Sequence, residues 1–292
     1  MLFRSRFFGI GLVKTSENFG SQSEWPSNPE LLDWLAVEFV DRKWDMKATF
    51  KLIMSSAAYR RSAAVTQEML EKDPDNRLLA RGPRFRLPAE VIRDQALWAS
   101  GLLVDQQGGP SVKPYMPEAV WDETSVYGDM RNYKADTGEG LWRRSLYTIW
   151  KRTAAPPTML LFDSAGREVC TVKRSRSNTP MQALSLLNEV TFVEAARKLA
   201  ENALRQPGDD QARLAWTFRR VLRRDASAAE LEVLSKGHAR RLATYAADAT
   251  LAPKLLAQGV SPVPADLDRP RLAAWTATAN VLFNLDETVT RE

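Results

Sequence analysis

One cysteine, Cys170, and one histidine, His238, are all that the 292 residues contain. A lone cysteine excludes an internal disulfide, and one His with one Cys excludes a conventional zinc site and a Cys-x-x-Cys-His haem attachment within this segment. Long apolar runs are missing too. None approaches the roughly 20 residues that cross a bilayer, so no membrane span is expected. The opening MLFRSRFFGIGLVKT sets Arg4 and Arg6 before a short apolar patch with no small-residue cleavage site behind it. That is not a signal peptide, and it reads as a chain truncated at its N-terminus. Internal repeats and low-complexity tracts are absent. The run Gly108-Gly109-Pro110 lacks both the G-x-G-x-x-G spacing and the Lys-Ser/Thr of a phosphate loop, which leaves a tight turn.

What is present is ordinary globular composition, 44% hydrophobic and 26% charged. The net charge is +5, and it is unevenly placed. Residues 143–176 carry eight basic side chains against Asp163 and Glu168, a net +6. Such a concentration is a candidate anion footprint. The periodicity is helical almost throughout. Asn28 and Pro29 open one amphipathic helix, with Leu31, Leu35 and Phe39 as its buried stripe. Asp45 caps the next, with Phe50, Ile53 and Met54 facing inward. Further helices start at Pro88, at Thr179-Pro180 with Gln182 completing a capping box, and at Ser227 with Glu230. LWRRSLYTIW alternates like a short strand, and TMLLF suits a strand or a short helix. Residues 123–141 read as an exposed loop. The fold class expected is mainly α, an irregular helical domain with a small β insertion near residues 141–175. It forms a single domain over 1–292, with a subdivision into 1–188 and 189–292. The nine tryptophans read mostly as core, and His238, among charged neighbours, as a surface residue.

The stretch DSAGREVCTVKRSRSNTPMQ, residues 163–182, gathers the chemistry. Three readings compete. Asp163 and Glu168 could act as an acid and base, with Cys170 as a nucleophile activated by Arg174 or Lys173, although no base is assigned to the thiol. The arginines could hold carboxylate, sulfate or phosphate beside the helix that begins at Pro180. Nucleic acid is not expected, because no recognition motif and no interleaved aromatics accompany the patch. The leading reading is structural: Asp163, Arg167, Glu168, Arg174, Arg176, Asn178 and Gln182 form a polar network tying the insertion to the following helix. Cys170, between Val169 and Val172, then packs as a small apolar residue. A catalytic residue cannot be named, and no metal ligand set is present. Asn284, Asp286 and Glu287 read as a solvated helix end rather than a cation site.

Six ordered segments carry a family likeness: FFGIGLVKTSENFGSQSEWPSNPELLDWLA, RLPAEVIRDQALWASGLL, GGPSVKPYMP, RRSLYTIWKRT, REVCTVKRSRSNTPMQALSLLN and NLDETVTRE. Together they resemble the planctomycete-type domain of unknown function 1553. The resemblance implies the C-terminal part of an exported multidomain protein that also bears a cytochrome-c-like module. It places haem c on the missing N-terminal region and none in this segment. It also implies a periplasmic or otherwise extracytoplasmic setting, with acidic polysaccharide or another domain of the same chain as partner. Two positions depart from the family's pattern: Asn28 stands where His is usual, and Phe162-Asp163-Ser164-Ala165 stands where a proline-containing turn is usual. The function expected is a non-catalytic scaffold or interaction domain; the alternative is an enzyme or binding module acting on sulfated or acidic polysaccharide.

Overall fold

The computed structural model describes residues 2–117, 133–151 and 155–291. Part of the expected 123–141 loop, and Trp121, lie outside them. The described chain is mainly α with a small β piece, and it divides into two compact units. The first holds residues 1–86, 170–175 and 290–292, and the second 87–169 and 176–289.

The first unit contains α1 (Leu2–Phe8), α2 (Pro29–Asp41), α3 (Met46–Ser55), α4 (Gln67–Lys72) and β1 (Phe85–Arg86), which pairs antiparallel with β2 (Thr290–Arg291). Its centre is aromatic. Phe7 meets Phe50 and Tyr59 edge-on at 5.6 and 5.7 Å, and Arg291 lies 4.0 Å over the Tyr59 ring. The Asp45 carboxylate caps α3 by accepting from the Ala48 amide, as its position suggests. The expected stripe on α2 is not buried: no residue of that helix is, and Leu31, Trp34, Val37 and Val40 are exposed. Asn28 precedes the helix without a side-chain cap, so Pro29 alone sets its first turn.

The second unit holds α5 (Ala89–Ser100), α6 (Pro157–Leu161), α7 (Pro180–Asn188), α8 (Val190–Leu204), α9 (Asp210–Leu222), α10 (Ala228–Ala247), α11 (Leu251–Leu256), α12 (Arg269–Phe283) and α13 (Asp286–Val289). Its axis is α8 against α12, flanked by α5 and α10. Both central helices are rich in fully buried alanine, Ala195, Ala196, Ala200 and Ala203 on one and Ala273, Ala274 and Ala279 on the other. Small side chains let helix axes approach closely, so larger residues such as Phe192, Leu199, Trp275 and Leu282 interlock at the margins. The buried hydroxyls of Thr276 and Thr278 donate to carbonyls one turn back, which satisfies them inside the apolar core.

The small sheet is β1 with β2. Near 141–175 the described residues form no ladder; they show single-residue bridges, among them Val104 with Arg143 and Val112 with Thr148. The alternating LWRRSLYTIW segment instead winds into two 3-10 turns, Gly138–Trp142 and Ser145–Tyr147. The reason is side-chain competition. Arg93 of α5 donates to the Leu141 and Arg143 carbonyls at 2.6 and 2.9 Å, which takes acceptors that a ladder would need. TMLLF forms α6, and the long apolar segment after Thr179 breaks into α7 and α8 at Glu189, whose carboxylate caps the second helix.

Candidate functional site

The singled-out residues differ in burial and in backbone setting. Asp163 follows α6 with φ of +59°, a left-handed conformation that aims its carboxylate at the next segment. Its Oδ2 accepts from the amide and hydroxyl of Ser177 at 2.6 and 2.8 Å. Gln182, fully buried on α7, donates to the Leu161 carbonyl at 2.9 Å and to Ser177 Oγ at 3.0 Å. Thr179 caps α7 by accepting from the Gln182 amide. Ser177, which the sequence did not mark, is therefore the hub that fastens α6 to α7. Arg167, Glu168, Arg176 and Asn178 are exposed, and Arg174 is half-buried. Arg167 lies 4.4 Å over the Trp150 ring, whose indole N–H donates to the Gly166 carbonyl. Cys170 is not a packing residue: it is exposed, and Val169 beside it is 76% exposed.

The densest chemistry of the second unit lies on α8 instead. Glu194, Arg197 and Glu201 are at most 1% exposed, at i, i+3 and i+7. Glu194 Oε1 accepts from the Ser261 amide at 2.7 Å, and Oε2 accepts from the Tyr115 hydroxyl at 3.1 Å and the Trp142 indole at 3.0 Å. Arg197 donates to the carbonyl and hydroxyl of Ser261, both at 2.8 Å, and to the Gln258 carbonyl at 3.3 Å. Its guanidinium is 3.8 Å from Glu194 and 3.7 Å from Glu201, and Lys198 closes the row at 2.7 Å from Glu201. Gly259 permits this. Its φ is +84°, and a Cβ there would come within 2.4 Å of the Glu194 carboxyl carbon. One buried carboxylate thus holds three segments to α8. Its acceptors all face donors, as a buried charge requires. Burial is the largest influence on Tyr115, and with the Glu194 charge it raises the phenol's pKa, so Tyr115 stays a donor.

A second polar nest surrounds Arg93. Besides the two carbonyls it donates to Ser145 Oγ at 3.1 Å, while Asp94 accepts from the amide and hydroxyl of Ser145. Arg143 donates to the carbonyls of Pro110, Gln106 and Gly108 and lies 4.0 Å over the Tyr147 ring. Between Arg93, Glu189, Thr148 and Tyr115 runs a slot of about 30 Å³, floored by Met159, Phe162 and Phe192. That is the room one water occupies. Burial raises the Glu189 carboxyl above the ordinary carboxylate range, and Arg93 and two bonds from Thr191 act against it. Burial likewise lowers Arg93.

His238 is a correction. It is 4% exposed, its ring centroid is 4.5 Å from that of the fully buried Trp275, and Nδ1 is 3.1 Å from Thr278 Oγ1. Thr278 gives its own proton to the Ala274 carbonyl, so Nδ1 is the protonated nitrogen and Nε2 is left buried without a partner. The tryptophans divide as well: Trp275 is core, whereas Trp25, Trp34 and Trp44 are 87%, 51% and 67% exposed. Glu287 binds Arg224 at 2.6 Å and Asp210 binds Arg271 at 2.7 Å. Among the described residues no three His, Cys, Asp or Glu side chains stand together as metal ligands.

None of the α8 or Arg93 residues was marked in the sequence. The available signal was EAARKLAE, whose charged positions fall on the same helix as an apolar stripe and leave it no polar face. The arrangement defines a mainly helical protein whose deepest ionisable groups clasp loops to helices. The chain belongs to a family described as PSD1, protein of unknown function (DUF1553), whose model matches residues 4–237. Comparison with curated proteins and with solved structures gives no match. The matched stretch ends inside α10, whereas the second unit continues through α12.

Proposed function

We propose that this chain is a non-catalytic scaffold or interaction module of an exported, cytochrome-c-associated bacterial protein, one that positions a haem-bearing segment or partner. The observation that carries the non-catalytic part is the Glu194–Arg197 clasp, where the strongest acceptors and donors of the second unit are engaged by Tyr115, Trp142 and the 258–261 turn. Both Glu194 oxygens and Arg197 Nη2 are engaged in this way and hold geometry, while Arg197 Nε and Nη1 and Glu201 Oε1 are buried without a hydrogen-bond partner among the described residues. The exposed apolar residues of α2 offer a contact face suited to a partner domain. The planctomycete setting, the extracytoplasmic location and the haem c on the N-terminal region rest on the sequence resemblance.

A second reading, binding of sulfated or acidic polysaccharide, is favoured by the exposed Arg167 held over Trp150. One experiment separates them. The full chain is incubated with a sulfated glycan, bound ligand is measured by calorimetry, and new reducing ends are counted. The scaffold reading expects no new ends and no binding. Binding weakened by Arg167→Ala would favour the second reading, and turnover abolished by Glu189→Gln would overturn the non-catalytic assignment.

A further inference from the structure

An open groove of about 490 Å³ runs between α7, α8, α10, α11 and α12, and shares only Gln258 with the Glu194–Arg197 clasp. The volume lies within the roughly 300–1,000 Å³ usual for small-molecule sites. Its floor is apolar, with Leu187, Val193 and Leu255. Its polar rim is one-sided: Arg241 and Lys254 line it, and no described lining residue is acidic. Arg241 is half-buried and makes no hydrogen bond or ion pair among the described residues. A guanidinium, with five N–H donors on a planar fork, thus lines the groove with no protein acceptor among the described residues.

The helix is adapted to that guanidinium. Gly237 sits in mid-α10, where glycine is the weakest helix former short of proline. A Cβ at that position would come within 2.9 Å of Arg241 Nη1. A side chain there would push the flexible arginine head from its present place along the helix. Burial also lowers the Arg241 pKa, with Tyr245 acting against it, as for a cation held partly away from water.

We infer that this groove binds a small organic acid with an apolar body, its carboxylate held in the fork of Arg241 with Lys254 beside it and its carbon chain over Leu187, Val193 and Leu255. Tyr245, one turn beyond Arg241 on α10, also lines the groove. The inference is independent of the scaffold reading, since a module of either kind can carry such a ligand.

Calorimetric titration of the full chain with octanoate, octanamide and inorganic phosphate tests it. Octanoate is expected to bind with Kd below about 1 mM, and at least about tenfold more tightly than octanamide or phosphate. Arg241→Met should remove that about tenfold preference while the circular dichroism spectrum stays native. Gly237→Ala keeps the charge but displaces it, and should weaken octanoate by about threefold without lowering the melting temperature, because alanine is the better helix former. Equal affinity for octanoate and octanamide, an unchanged Kd in folded Arg241→Met, or tighter binding of phosphate than of octanoate would each overturn the inference. So would absence of octanoate binding.

Discussion

At Gly259 the whole Glu194 clasp depends on a missing methyl group. A Cβ would meet the buried carboxyl carbon at 2.4 Å, on a backbone already at φ +84°. Gly259→Ala therefore combines left-handed strain with overpacking and should destabilise by about 3 kcal/mol, read from urea denaturation. His238 makes a pH prediction. Burial lowers its pKa from 6.5, with Arg241 and Arg271 acting the same way and Asp210 opposing. The unfolded chain then takes up the proton first. Its stabilising contribution is complete above pH about 6.5 and is lost as pH falls below that value toward the folded pKa. The melting temperature should drop between pH 7 and 5 more steeply than in His238→Phe; parallel curves would contradict the buried neutral ring. Neither residue was legible as important. The immediate neighbours of His238 are charged, and the helical period that places it with Leu231, Leu234 and Leu242 is the one that counts.

Helix ends were the most legible elements, because a cap is a local contract between residues a turn apart. Thr179 and Ser227 both cap as their spacing implies, the second in a complete capping box with Glu230. Arg224 forks onto Glu230 and Glu287, and this brings the Glu230 carboxyl down to about 2. The group is partly exposed, so solvent screens the pair and most of the gain belongs to the cap. Ser227→Ala should cost about 1 kcal/mol. The Glu230 contribution is present above pH about 4.5 and fades as pH falls toward about 2, which acid titration of the melting temperature checks. Elements whose fate is decided at long range were illegible. LWRRSLYTIW has the period of a strand, yet Arg93, some 50 residues away, takes its carbonyls. The α2 stripe has helical period, but periodicity names a face and not its cover.

For the whole molecule, the division into two units predicts uneven protection. Buried α8 and α12 should be the last helices to exchange amide hydrogens, and α2, with no buried residue, among the first. Mass spectrometry after timed exchange reads this directly, and early exchange of α12 would contradict the packing described. The helical class and the family were legible because they rest on composition and ordered motifs spread along the chain. The candidate site was legible only in part. Asp163 and Gln182 do join through Ser177, but the charge cluster in sequence is not where ionisable groups are buried. Charge density along a chain reports what water must solvate, and burial is decided by which helix face receives a neighbour.

The central claim is that Glu194 and Arg197 hold the second unit together. A double-mutant cycle of Glu194→Gln and Arg197→Met, followed by urea denaturation with near-ultraviolet circular dichroism, tests it most directly. Each single change strands its partner and should cost about 3–5 kcal/mol, with the double change costing clearly less than the two together. Single variants that unfold at the same urea concentration as the unaltered chain would contradict the account.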